Sequence, residues 1–125
     1  MSNDAPMYSI SYYKPQRLVR LNWLPGTAGM SDQDFKGALQ TFAEAILQHS
    51  AQKLIVDMRE FKSRPSAEAL AWRDDVIVSK YNKAGVKKVA WIWPGVTGAT
   101  STSNADKSEN HYFSAESEAL AWVTT

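Results

Sequence analysis

Trp23, Phe61 and Trp93 stand at or just beyond the ends of apolar runs, and Arg59, Lys62 and Arg64 follow closely on one of those runs. If the fold gathers these six residues, they form an aromatic floor with a cationic rim. Such a site suits an amphipathic acid or a lipid headgroup, because rings cover apolar surface while guanidinium and ammonium groups hold an anionic end. The competing reading is that the tryptophans cap the core and the cations are simply solvated.

Other chemistry is sparse. His49 closes a helical stretch, where its charged form would suit the helix dipole, and His111 lies in a short extended run. Neither has a Ser and an Asp in a recognisable triad pattern. Asp74 and Asp75 are adjacent and diverge around a helix instead of clamping a metal. Asp57 ends a strand, which is an address for a catalytic carboxylate and equally for one that holds loop amides. Pro25, Gly26 and Gly29 lack the spacing of a dinucleotide loop or a P-loop. The residues therefore predict a binding domain with no cofactor and no metal. An enzyme built around Asp57 is the residual alternative.

These groups need elements to position them. Tyr8 to Tyr13 reads as a strand, Lys14 to Gln16 as a turn, and Leu18 to Trp23 as a half-buried alternating strand, so the two should pair antiparallel. Ser31 is a helix N-cap candidate followed by Asp32 and Asp34. Phe35, Leu39, Phe42 and Ile46 then form one apolar stripe on a helix reaching about Ser50. Lys53 to Met58 is a strand and Arg59 to Pro65 a loop. A second long helix starts near Ser66 and ends at Ala84 and Gly85, with Gly85 suited to a left-handed cap. Val86 to Trp93 is apolar on both faces, as a central strand covered by helices should be. Pro94 to Asn110 reads as a loop, His111 to Phe113 as a short edge strand, and Ser114 as the cap of a last helix running to about Val123. The order predicts a single α/β domain over residues 8–125. It has a four- to five-stranded, mostly parallel mixed sheet, an N-terminal antiparallel hairpin and three main helices, and residues 1–7 form a flexible lead.

Composition bounds the class. The chain has 125 residues, 44% hydrophobic and 22% charged, so it can bury a sizeable core. A net charge of +1 offers no broad field for nucleic acid, and basic residues are scattered along the sequence, so no nucleic-acid partner is expected. Cysteine is absent, in keeping with a reducing cytoplasm. The N-terminus has neither the basic start nor the apolar run of a signal peptide, and no stretch is apolar enough to span a membrane.

The element order, the strand Lys53 to Asp57, the Trp72 helix, the strand ending Val89 to Trp93, and the Tyr112-Phe113-Ser114 and Glu118-Ala119-Leu120-Ala121-Trp122 ending together resemble the SpoIIAA-like family. That family is related to STAS domains within the SEC14-like superfamily. In phosphorylated STAS domains an Asp-Ser-Ser-Gly-like segment follows the third strand, and its serine is the switch. The matching place here is Ser66, but the chain reads Lys62-Ser63-Arg64-Pro65-Ser66-Ala67 and departs from that motif. What the SpoIIAA-like resemblance implies is binding of an apolar or amphipathic small molecule or lipid, with peripheral membrane contact.

The second long helix offers a different function. At about 100° per residue, Leu70, Ile77 and Tyr81 fall within about 40° of one another and should meet the sheet. Ala69, Trp72 and Val76 then fall on nearly the opposite side, as an apolar patch for a regulatory protein or a second copy of the chain. The pentapeptide Glu68-Ala69-Leu70-Ala71-Trp72 recurs as Glu118 to Trp122, and in both its Leu and Trp point about 200° apart. Ligand binding at the carboxyl edge of the sheet and partner binding through the Trp72 helix both stay open.

Overall fold

The computed structural model describes residues 7–63, 65–93 and 109–124. The fold is α/β, as expected. Strands β1 (Tyr8–Tyr13) and β2 (Leu18–Trp23) form the antiparallel hairpin, registered from Tyr8 opposite Trp23 to Tyr13 opposite Leu18. A short 3₁₀ turn, Lys14–Gln16, joins them. Pro15 presets its φ, and Arg17 closes it in the left-handed region at φ 52°.

From β2 onward every neighbouring pair is parallel: β3 (Lys53–Asp57), β4 (Lys88–Ile92) and β5 (Glu109–Phe113), in the order β1-β2-β3-β4-β5. Each crossover moves one strand in the same direction, so crossovers of one hand leave their helices on the same face. That face is covered by α1 (Asp32–His49) and by a long helix composed of α2 (Ala67–Trp72), a π-helical segment (Arg73–Ile77) and α3 (Val78–Ala84). Helix α4 (Glu116–Val123) covers the other face.

Local chemistry sets the helix ends. Ser31 and Asp34 make a full capping box on α1, each side chain accepting from the other's backbone N–H at 3.1 Å. Ser66 caps α2 by accepting the Ala69 N–H, and Gly85 ends α3 at φ 85°, a conformation glycine takes freely. Helix α4 differs from expectation. Its N-cap is Ala115, whose side chain cannot cap, so the first turn relies on Glu116 and Glu118 against the dipole.

The core has two layers. Val19, Leu21, Trp23, Leu54, Val56 and Val89 pack under α1–α3, while Leu18, Ile55, Ala90 and Ile92 pack under Ala119 and Val123 of α4. Strand β2 is therefore not half-buried. It is covered on both faces, and Arg20 lies inside at 8% exposure. Strand β5 starts at Glu109, two residues before the expected edge strand. Residues 94–108 of the expected loop, like 1–6 of the expected lead, lie outside the described residues.

The expected outer face of the second helix is corrected by the π segment, in which the Val78 N–H bonds back to the Arg73 carbonyl. A π turn holds one residue more than an α turn. The face opened by fully buried Ala69 thus continues at Ile77 and Tyr81, one residue later than a regular helix would place it. Ala69 is core, and Trp72 and Val76 are half-buried against the same cluster instead of forming an outward patch.

Candidate functional site

At the carboxyl end of the sheet, the helices do not close on the strands. A cavity of about 610 Å³ remains between β2–β5 and the helices α1, α2 and α3. Its floor comes from alternate residues of each strand, which share one face: Leu21 and Trp23, Val56, Trp91 and then Trp93, and Asn110 and Tyr112. Phe35, Leu39 and Phe42 descend from the α1 stripe, and Leu70, Val78 and Tyr81 from the second helix. Met58, Phe61, Ser63 and Pro65 close the side where β3 runs into α2.

Rings shape the walls. Trp23 stacks on Phe35 with centroids 5.9 Å apart and meets Phe61 edge-on at 4.9 Å. Trp91 stacks on Tyr112 at 5.7 Å, and Phe42 meets Tyr81 edge-on at 6.2 Å. These self-satisfied pairs hold the rings in fixed planes. Polar groups are few. The Trp91 indole N–H donates to Asn110 Oδ1 at 2.8 Å, and the Arg73 guanidinium donates to Asp74 Oδ1 at 3.0 Å. Arg73 and Asp74 are partly exposed and line the cavity from the π segment.

The structure unites half of the predicted site. Trp23 and Phe61 are walls, and Trp93, 39% exposed, lies on the lining as one of the most exposed large apolar residues. The cationic rim is corrected. Arg59 turns away from the cavity to Asp57, at 2.6 Å, and to Glu116, at 3.1 Å. Lys62 does not line the cavity; its backbone N–H donates to Thr27 Oγ1 at 2.7 Å. Arg64 lies outside the described residues. Among the described residues the cation that lines the cavity is Arg73, one α turn after buried Ala69 on a face that was expected to point outward. Thr27 was also missed. This fully buried threonine donates to the Leu24 carbonyl at 2.8 Å, has the Glu60 carbonyl at 3.2 Å, and so ties together the two loops flanking the cavity.

No family model matches the chain. No curated protein and no solved structure matches it either. Function is therefore read from the residues in place.

A charge cluster lies across the sheet from the cavity, beside α4. Arg20 Nη2 is 3.1 Å from Asp57 Oδ2, and Arg20 Nη1 is 2.9 Å from Glu116 Oε2. Arg59 bridges the same two carboxylates. Two cations meet two anions, so the cluster is neutral. Burial works to raise the Asp57 carboxyl, but hydrogen bonds from Arg59 and the charges of Arg59 and Arg20 outweigh it, and the net shift is downward. Hydrogen bonding and charge from Arg20, then from Arg59, hold Glu116 below the usual carboxylate range. Asp57 Oδ1 also accepts the Arg59 backbone N–H at 3.0 Å, which is the loop-holding role.

Ser66 has its hydroxyl engaged. It donates to Asp32 Oδ2 at 2.6 Å and accepts the Ala69 N–H at 3.1 Å, so a phosphate at this position would confront the Asp32 carboxylate. His49 stacks face to face on Tyr12 at 3.8 Å, and His111 packs against Trp122 at 4.5 Å. Among the described residues no three His, Cys, Asp or Glu side chains converge to hold a metal, and no helix is long and apolar enough to cross a membrane.

Proposed function

We propose that this domain is SpoIIAA-like and STAS-related, and that it binds a small apolar or amphipathic molecule, a lipid or an aromatic acid, in the cavity under α1–α3. One observation carries the reading: an aromatic-walled space of about 610 Å³ at the carboxyl edge of a parallel sheet. That edge is where open α/β sheets hold ligands, and the volume lies within the roughly 300–1,000 Å³ of small-molecule pockets. The apolar lining favours a chain or ring, and the Arg73–Asp74 pair can exchange its internal bond for a polar end of the ligand. The cysteine-free chain suits a cytoplasmic setting.

Three cavity tryptophans supply the readout. Native mass spectrometry of gently purified protein should show a co-purified small molecule. Titration with decanoate should give a saturable change in Trp emission and a rise in melting temperature; saturation at a hundred times Kd adds about 2.7 kcal/mol. Val78→Phe should narrow the cavity and weaken both effects. An empty protein whose emission and melting ignore decanoate and a panel of aromatic acids would sink the reading.

A further inference from the structure

A second concave site lies at the opposite, amino end of the strands, remote from the cavity and independent of it. Tyr12, Lys14, Pro15 and Arg17 of the β1–β2 turn face Gln48, His49 and Ser50 at the end of α1. We propose that this depression binds a phosphate monoester group, carried by a soluble metabolite or by a lipid headgroup.

The first argument is charge. No carboxylate lines the depression, and among the described residues neither Lys14 nor Arg17 has an acidic partner, whereas Arg20, Arg59 and Arg73 each hold one. The sequence disperses its cations, yet the fold collects them. The turns, helix end and strand starts at this end carry Lys14, Arg17, Lys53, Lys83, Lys87 and Lys88, with Lys53 and Lys88 side by side in the sheet. Among the described residues Glu109 is the acid at these strand starts, and it is turned to His111 at 2.9 Å. A chain of net charge +1 thus has one end that attracts anions and steers them in.

The second argument is backbone. Arg17 at φ 52° and Ser50 at φ 49° are the two non-glycine residues in the left-handed region among the described residues, and both line this depression. Non-glycine residues in that conformation are held by their surroundings and cluster at functional sites. Here the surroundings are explicit. The Arg17 carbonyl accepts the Gln52 and Lys53 N–H groups at 3.0 and 3.3 Å, and its own N–H donates to the Lys14 carbonyl at 3.1 Å. Glycine would hold the turn without strain; arginine there brings a five-donor fork that fits phosphate oxygens in pairs.

The third argument is the wall. The His49 ring lies flat on Tyr12 at an interplanar angle of 12°, which fixes the direction of its N–H donor. Of the last carbonyls of α1, that of Ile46 accepts the Ser50 and Ala51 N–H groups and that of Leu47 also accepts from Ser50, so these two are turned to the backbone and not to the depression.

The test is amide chemical-shift mapping with inorganic phosphate against chloride at matched ionic strength, together with sedimentation on phosphatidylcholine vesicles with and without phosphatidic acid. Phosphate should shift the amides of Lys14, Arg17, His49 and Ser50 and leave the cavity residues still. Sedimentation only with phosphatidic acid names a lipid headgroup as the source; its absence names a soluble ester. Arg17→Gly should weaken phosphate at least about tenfold through the lost charge-assisted bonds. It should keep the melting temperature, because glycine accepts the same backbone. Phosphate that shifts nothing at millimolar concentration, or an Arg17→Gly protein that binds as wild type does, overturns the proposal.

Discussion

Asp57→Asn keeps the shape of the side chain and removes its charge. In the folded protein it leaves Arg20 inside, with a side chain only 10% exposed, and breaks the bridge at 3.1 Å. Removing one partner of a buried ion pair costs about 3–5 kcal/mol, because the survivor is stranded in low dielectric. Two features reduce the cost here. Arg20 retains Glu116 at 2.9 Å, and asparagine retains one acceptor oxygen. The expected loss is about 2–3 kcal/mol at neutral pH, a large share of the roughly 5–15 kcal/mol of a typical domain. Glu116 is 41% exposed and adds little of its own in solvent. Urea unfolding across pH measures the loss and checks its origin. Both carboxyls are depressed in the folded state, Asp57 by the arginines in spite of burial and Glu116 by Arg20 first. Their contribution is therefore present above the ordinary carboxylate pKa of about 4 and fades as pH falls through the lower folded values. Wild type should lose stability steeply on acidification through that window, while Asp57→Asn loses less and the two curves converge. A loss under about 0.5 kcal/mol at neutral pH, or a gap that stays constant into acid, refutes a buried charge-stabilised Asp57.

Four further perturbations separate the parts. Thr27→Val removes the hydroxyl that joins the β2–α1 and β3–α2 loops, strands the Lys62 N–H, and should cost about 1–3 kcal/mol by chemical denaturation. Ser66→Ala removes the cap of α2 and the link to Asp32, and should cost about 1 kcal/mol, with amide exchange rising in residues 66–70 and not in α4. Deleting exposed Asp75 removes the extra residue and should convert the π segment to α-helix with Ala69, Ile77 and Tyr81 on one face, so the melting temperature should hold; a large drop by calorimetry would mean the π turn itself is needed for packing. Ala119→Leu inserts volume where α4 touches the sheet and should cost about 1–3 kcal/mol; an unchanged unfolding midpoint would mean α4 rides farther from the sheet than described.

Most of the fold was legible because its signals are local. Ser31 with the acids after it, Ser66 and Gly85 each solve an end-of-helix problem within a few residues, and each does so as read. Both faces of β4 are apolar because helices cover both, and that too shows in the sequence. The burial of Arg20 was not legible. Its place in the alternation, between Leu18 and Asn22, is that of a solvent-facing residue, and only α4, nearly a hundred residues away, brings the Glu116 carboxylate that encloses it. The rim was misread for a related reason. Arg59 follows the right strand, but Asp57 two residues earlier captures it before it can reach the cavity.

The repeated pentapeptide shows how far local pattern reaches and where it stops. Leu and Trp two positions apart cannot both face one core, so a helix carrying them must favour one. Both helices favour neither. Ala69 and Ala119 are each fully buried, and the Leu and Trp of each copy flank the alanine half-buried. In α4 the small residue lets the helix axis approach the sheet, whereas α2 packs beside α1 and its Leu70 lines the cavity. The burial order within the five residues is thus the same on both faces of the sheet, although what covers them differs. The two helices diverge immediately after it. In α4 the next position on the buried face is Val123, fully enclosed, and the helix simply ends there. In the second helix the equivalent position is Arg73, where the π segment begins, and the extra residue delays the next core contact to Ile77. The same five residues therefore stand on a helix that closes one face of the sheet with apolar packing and on a helix that borders a cavity with a charged pair on its lining.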